Sequence, residues 1–355
     1  MGQRAAEAEA IVRWSGTAST TVDLRSGVLD RLTQAVSFDG AFFATVDPAT
    51  LLYTSGVRRD LPPDASPAFV RAELSFDDLN QLRTLAFAPS AVGWLDEATA
   101  GNRATSRRYR EAMQPIGLGD ELRVALRIDG SCWGLLCLHR AAAATGFERR
   151  DAALLARVMP HVAEALRRTT VLAATSDGID GEGPGVAVIA PDLTVESTTA
   201  AGAHWLSQLA ELDVPYRLPL PTAVLAVLAK LHAVDMAPND EAPPRARVRA
   251  PSGRWLRLHA SHLDGGAENR TAVVIEPAAP AEVTPMVVAA YALTPRETEV
   301  VQRLLVGLAR KQIADELQIT ANTVNDHVKA IFDKTGVSSA GQLRHQLFVA
   351  HYGPR

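Results

Sequence analysis

Cysteine is scarce in this chain: 355 residues contain only Cys132 and Cys137. Two thiols cannot form a disulfide framework or a four-thiolate zinc site, and such sparse usage fits a reducing cytoplasm. Strand parity puts positions five apart on opposite faces, which favours two buried thiols over a redox pair. The same parity argument separates His259 from His262 in "HASH" and speaks against a shared metal there. Long apolar runs are missing too. No stretch of about 18 apolar residues could span a bilayer, and the charged N-terminus has no apolar core of an export signal. The opening "MGQRAA" has Ala6 where a myristoylation pattern requires Ser or Thr. A cytoplasmic protein with no membrane contact is therefore expected. The net charge of -4 gives no whole-chain sign of nucleic-acid binding, although a local basic patch is compatible with that average. Catalytic signatures are absent as well: there is no G-x-S-x-G, P-loop, H-E-x-x-H, or H-x-E paired with C-x-x-C. "GEGPG" precedes a strand and does not join a strand to a helix, so it reads as a linker and not a phosphate cradle. No enzyme is expected, and neither a cofactor nor a catalytic residue can be named.

The remaining composition, 47% hydrophobic and 21% charged, is that of a globular protein, and the length suggests two or three domains. From Ser19 to Val36 apolar residues recur at three- and four-residue steps, predicting an amphipathic helix on a sheet. "AFFATVDPATLLYTSGV" predicts a hairpin around Asp47-Pro48. Residues 60–118 show helical patches around Phe69 and from Arg107 to Met113 and are otherwise weakly patterned. "LRVALRIDGSCWGLLCLHR" predicts a tight hairpin at Asp129-Gly130, two residues that tolerate positive φ. A closing helix follows from Phe147 to Arg168. Residues 18–170 thus read as an α+β domain, and 171–184, with "SDGIDGEGPG", as a linker. Residues 185–277 read as a second antiparallel-sheet domain with two helices inserted. The proline-rich 278–290 looks like a joint to a last, all-helical unit at 291–355. Trp94, Trp133, Trp205 and Trp255 are expected in cores.

The C-terminal unit has dense start and stop signals. Thr294-Pro295-Arg296-Glu297 combines an N-cap, a proline at the first helical position and a glutamate at the third, a capping box. Gly307 ends that helix. A short helix covers Lys311 to Leu317, and Thr320 caps the next after a tight turn. Two short helices joined this closely suggest a helix-turn-helix, whose second helix enters a DNA major groove. On that helix Val324, Val328 and Ile331 share one side, whereas Asn322, Asn325, Asp326, Lys329 and Asp333 share the other. Asn pairs with adenine edges, Lys with guanine or phosphate, and Asp with cytosine N4. An ordinary solvated helix is the alternative reading of the same face.

"LTPRETEVVQRLLVGLARKQIADELQITANTVNDHVKAIFDKTGV" resembles the LuxR/FixJ-type helix-turn-helix, with "LTPRE", "IADEL", "TVNDH" and "KTGV" in register. The resemblance implies a transcription regulator that binds double-stranded DNA, with Asn325, Asp326 and Lys329 as base-reading positions. Thr323, Arg310, Lys311 and Lys334 are the candidates for phosphate contacts. Asn325 and Asp326 depart from the basic or apolar residues often found there, so no site preference carries over. His327 reads as a packing residue. The fourth helix, with Leu343 and Leu347, is implied to pair two copies into a homodimer, although packing on its own domain is an equally good reading. RNA polymerase is a further candidate partner. "GSCWGLLCLHR" followed by "FERRDAALLARVMPHVAEALRR" resembles the end of a GAF domain, and "GVAVIAPDLTVESTTAAGAHWL" to "GRWLRLHAS" resembles a PAS domain. Both imply sensing of a small molecule or a protein partner, and neither identifies a ligand. No acidic pair marks a phosphoacceptor receiver, and no aromatic-plus-Asp pattern marks an acyl-homoserine-lactone pocket. An adaptor controlled only by a protein partner is the rival reading.

Overall fold

The computed structural model describes residues 2–172, 183–215, 218–236, 243–263 and 270–344. Most of the expected linker and Leu347 lie outside these residues. The chain divides into two compact units, residues 1–252 with 256–277, and residues 253–255 with 278–355.

The first unit opens with two helices, α1 (Gly2–Thr17) and α2 (Thr21–Ala35). The sequence predicts only the second, because α1 has almost no apolar stripe. It is held by a few anchors: Ile11 is buried, and the Trp14 indole donates to the Leu24 carbonyl at 3.3 Å beneath the Arg31 guanidinium. Thr20 caps α2 by accepting from the Asp23 amide. Strands β1 (Gly40–Val46) and β2 (Tyr53–Arg59) form the expected hairpin. The weakly patterned stretch holds α3 (Ser66–Leu74), α4 (Leu82–Leu85), β3 (Val92–Trp94) and α5 (Leu95–Ala98). Strands β4 (Leu118–Ile128) and β5 (Ser131–Ala141) turn at Asp129 and Gly130, both with positive φ, and α6 (Arg149–Leu172) packs on them.

All neighbours in this sheet are antiparallel, in the order β2-β1-β5-β4-β3. One parity argument fails here. Leu126 pairs with Gly134 but Arg127 pairs with Cys132, so β5 carries an extra residue at Trp133. That bulge resets the alternation between the cysteines, and both belong to one apolar cluster. Burial pushes the Cys132 thiol up to about 11 and the Cys137 thiol up to about 12, so both remain protonated and unreactive near neutral pH.

A second antiparallel sheet is built from β6 (Gly185–Ile189), β7 (Val195–Thr198), β8 (Arg245–Arg249), β9 (Trp255–His262) and β10 (Thr271–Pro277). Helices α7 (Ala200–Ala210) and α8 (Thr222–Met236) lie between β7 and β8 in sequence. Its order, β7-β6-β10-β9-β8, repeats the arrangement of the first sheet when the strands of each are counted from its own first. Trp133, Trp205 and Trp255 are buried, and Trp94 is half-buried.

Both sheets belong to the same unit, and buried polar contacts join them. The Asp213 carboxylate accepts from the Gly56 amide at 2.7 Å and the Thr222 amide at 2.8 Å, and it lies 3.6 Å from Arg58. Arg58 also donates to the Thr222 hydroxyl. Farther along, the buried Asp47 receives three hydrogen bonds from Arg247. Such groups are tolerable inside a protein because each charge meets an opposite charge and further hydrogen bonds.

The second unit is helical: α9 (Pro280–Ala290), α10 (Pro295–Leu305), α11 (Arg310–Leu317), α12 (Ala321–Thr335) and α13 (Ala340–Arg344). Most of 278–290, which the sequence reads as a joint, is helix α9. Pro280 stands at the first helical position, where its missing N–H costs nothing. No helix among the described residues is long and apolar enough to cross a membrane.

Candidate nucleic-acid interface

The start of α10 is fixed by a reciprocal cap. The Glu297 amide donates to the Thr294 hydroxyl at 3.2 Å, and the Thr294 amide donates to the Glu297 carboxylate at 2.7 Å. Lys334, at the far end of α12, donates to the same carboxylate at 2.6 Å and to the Ala292 carbonyl. Burial alone raises the Glu297 carboxyl, but the hydrogen bonds from Lys334 and Thr294 outweigh it and hold the group below its ordinary range. Lys334 therefore ties the last turn of α12 to the first turn of α10, and its ammonium is engaged inside the unit.

Helix α11 is joined to α10 by polar contacts. Arg303 meets Glu316 at 2.8 Å, and Arg296 donates to the Leu317 carbonyl at 2.6 Å. Ile313, Ala314 and Leu317 are buried, and the small Ala314 lies on the face that meets the neighbouring helices. The helix stops at Gln318 with φ 52, a left-handed residue that reverses the chain within one turn. Thr320 then caps α12 by accepting from the Thr323 amide at 3.1 Å, and its hydroxyl also meets that of Thr323. The cap at the other end is Gly336 with φ 71, a conformation open to glycine at no steric cost.

Between these caps, α12 sorts its side chains as the sequence predicts. Val324, Val328 and Ile331 are buried; Asn322, Asn325, Asp326, Lys329 and Asp333 are exposed; His327 is half-buried. Lys311, at the second position of α11, is exposed as well. Among the described residues Lys311, Asp326 and Lys329 make no hydrogen bond or ion pair, so their polar groups face solvent unengaged.

One contact was not legible in the sequence. Arg310, at the start of α11, donates to the Asn325 side-chain oxygen at 2.8 Å. A candidate phosphate group and a candidate base-reading group thus touch across the turn. With its oxygen held by Arg310, Asn325 keeps its two amide hydrogens for an acceptor. Fifteen residues separate the pair, and only the folded turn brings them together.

Leu343 is wholly buried inside the unit, where α13 lies against α10. Leu347 lies outside the described residues. No group of His, Cys, Asp or Glu among the described residues could hold a metal ion.

Residues 291–346 match the family described as bacterial regulatory proteins, luxR family, which are regulators and not enzymes. The transcriptional regulatory protein UhpA of Salmonella typhimurium is 41% identical over 56 residues, 16% of this chain and 29% of UhpA. The chain therefore spans less than a third of that relative's length. The GAF domain of an Acinetobacter phosphoenolpyruvate-protein phosphotransferase is similar at 12% identity and a TM-score of 0.34, over 47% of this chain and 93% of that one. Escherichia coli SdiA is similar at 13% identity and a TM-score of 0.30, over 98% of both chains. At these scores neither likeness assigns a fold or a ligand. The local match and the capped helix pair agree, so the C-terminal part of this chain, residues 291–346, is similar to the luxR family of bacterial regulatory proteins.

Proposed function

We propose that this chain is a sequence-specific DNA-binding regulator of transcription. Its residues 18–170, GAF-like, and 185–277, PAS-like, would form the part that receives a signal. The observation that carries the reading is the exposed face of α12, where Asp326 and Lys329 stand unengaged beside Asn325 on a helix capped at both ends. Asn325, Asp326 and Lys329 read base edges. Arg310, Lys311 and Thr323 face phosphates, with Arg310 also orienting Asn325. Lys334 acts through Glu297, holding α12 against α10. Two copies pair through the fourth helix on a two-fold site, Leu343 supporting that helix from within its own unit.

A titration of a random-sequence duplex with the full chain at rising salt tests the phosphate part of this reading. The logarithm of affinity should fall linearly with the logarithm of salt concentration, and Lys311→Ala should flatten that slope by about one phosphate contact. Affinity that does not change with salt would contradict it.

A further inference from the structure

The exposed face of α12 is short of positive charge for a surface that meets DNA. Asp326 and Asp333 stand on it against Lys329, so the face itself carries one net negative charge. Lys334, near the C-terminal end of the helix, does not offset this, because its ammonium is bound to Glu297. Arg310 reaches the face from α11, and its guanidinium donates to the neutral amide of Asn325 and not to a carboxylate. Among the described residues Asp326 is exposed, makes no hydrogen bond and has no cation within ion-pair distance. A bare carboxylate thus sits at the centre of the candidate reading surface, next in sequence to a residue that is held.

Duplex DNA carries one negative charge per about 1.7 Å of helix axis. A carboxylate brought into its groove without a counterion meets that charge and loses water as it does so. Aspartate can only accept hydrogen bonds. In the major groove cytosine offers its N4 amino group and adenine its N6 amino group as donors, whereas guanine presents the acceptors O6 and N7 and thymine the acceptor O4. Opposite an amino group the Asp326 carboxylate is matched. Opposite a guanine or thymine edge, acceptor faces acceptor. Specificity is a difference of affinities, and an unmatched charge held against the wrong sequence widens that difference as a new contact to the right one does. Attraction to any duplex comes from Lys311 and Lys329, which are exposed and unengaged.

We propose that Asp326 determines specificity by exclusion. Its carboxylate admits a base that turns an amino group into the major groove, cytosine or adenine, and rejects guanine and thymine at the same position, which keeps affinity for unrelated duplexes low. The inference rests on the reading of α12 as the base-reading helix and deepens it, because Asp326 then sets which sequences the chain refuses and is not one more attractive contact.

The test uses the full chain, its Asp326→Asn variant, which keeps the shape and loses the charge, and Asp326→Ala. Each protein selects duplexes from a random-sequence library at one fixed salt concentration. Affinities are then measured for the parent's preferred duplex, for that duplex with each other base at the position where preference changes, and for a random duplex. Asp326 is exposed and without a partner, so the thermal unfolding midpoints should agree. Asp326→Asn should raise affinity for the random duplex about tenfold while changing affinity for the preferred duplex less than about threefold. At one position of the site the parent should require cytosine or adenine, which the substituted duplexes tell apart, and both variants should accept guanine and thymine there. A fall in specific affinity with no gain on the random duplex would make Asp326 an attractive contact only and overturn the proposal. A uniform gain on every duplex with the base preference intact, the mark of bulk repulsion, overturns it as well. A parent chain that enriches no site overturns the regulator reading and this inference with it; a parent that enriches a site whose base preferences both variants keep overturns this inference alone.

Discussion

At the scale of single residues, α12 divides its exposed polar groups into those with a local partner and those without. Lys329 has none, and a good bidentate contact to a base contributes about 1–3 kcal/mol of discrimination. Lys329→Ala should therefore weaken binding to a preferred site by that amount while barely changing binding to unrelated duplexes. Base preferences measured before and after the change decide this, and an unaltered preference at every position would remove Lys329 from the reading set. Asn325 is different because Arg310 already holds its oxygen. A double-mutant cycle of Arg310→Ala and Asn325→Ala on specific DNA affinity should show coupling of about 0.5–3 kcal/mol, whereas strict additivity would mean that the contact does not orient the amide.

At the scale of elements, the pair formed by α10 and α12 is closed by Glu297 and Lys334. Because the folded Glu297 carboxyl lies below its ordinary range, its contribution to stability is complete above the unfolded-chain value and is lost as pH falls through the folded value. Glu297→Gln should lower stability by about 1 kcal/mol near neutral pH and by much less in acid. Denaturant unfolding across that range measures it; a penalty independent of pH would show that the carboxylate charge plays no part. The elements around this pair were legible in the sequence because local chemistry fixes them: the Thr294 and Thr320 caps, the Gly336 stop, and an apolar stripe with a 3.6-residue period. The Asp129-Gly130 hairpin was legible for the same reason. Helix α1 was not, since its contacts come from Trp14 and Ile11 docking on a neighbour and not from its own periodicity. The burial of the polar face of β4, with Glu121 and Arg123, was not legible for a related reason. Alternation identifies a strand, but whether its polar side meets water or Arg108 and Glu73 depends on segments 13 and 50 residues away. Parity failed at Cys132 and Cys137 because a bulge leaves no mark in composition.

At the scale of the whole molecule, the sequence suggests two signal-receiving domains separated by a linker, while the structure joins both sheets in one unit through buried charge. Asp213 is the centre of that junction, serving Gly56, Thr222 and Arg58 together. Removing one partner of a buried ion pair strands the other, so Asp213→Ala should destabilise the first unit by about 3–5 kcal/mol in denaturant unfolding. A loss within a few tenths of a kcal/mol would mean that the sheets associate without this contact. A unit closed in this way gives a signal bound at the first sheet a physical route to the second. A ligand shifts such an arrangement only by binding one form better than the other.

Whether the polar face of α12 reads DNA sequence is decided by a selection of genomic fragments on the purified full chain beside its Lys329→Ala variant, at one fixed salt concentration. The parent chain should enrich a single palindromic site, and the variant should lose preference at defined bases within it while keeping its affinity for bulk DNA. Enrichment of no site by the parent chain, or of the same site with the same base preferences by both proteins, would contradict a base-reading role for α12.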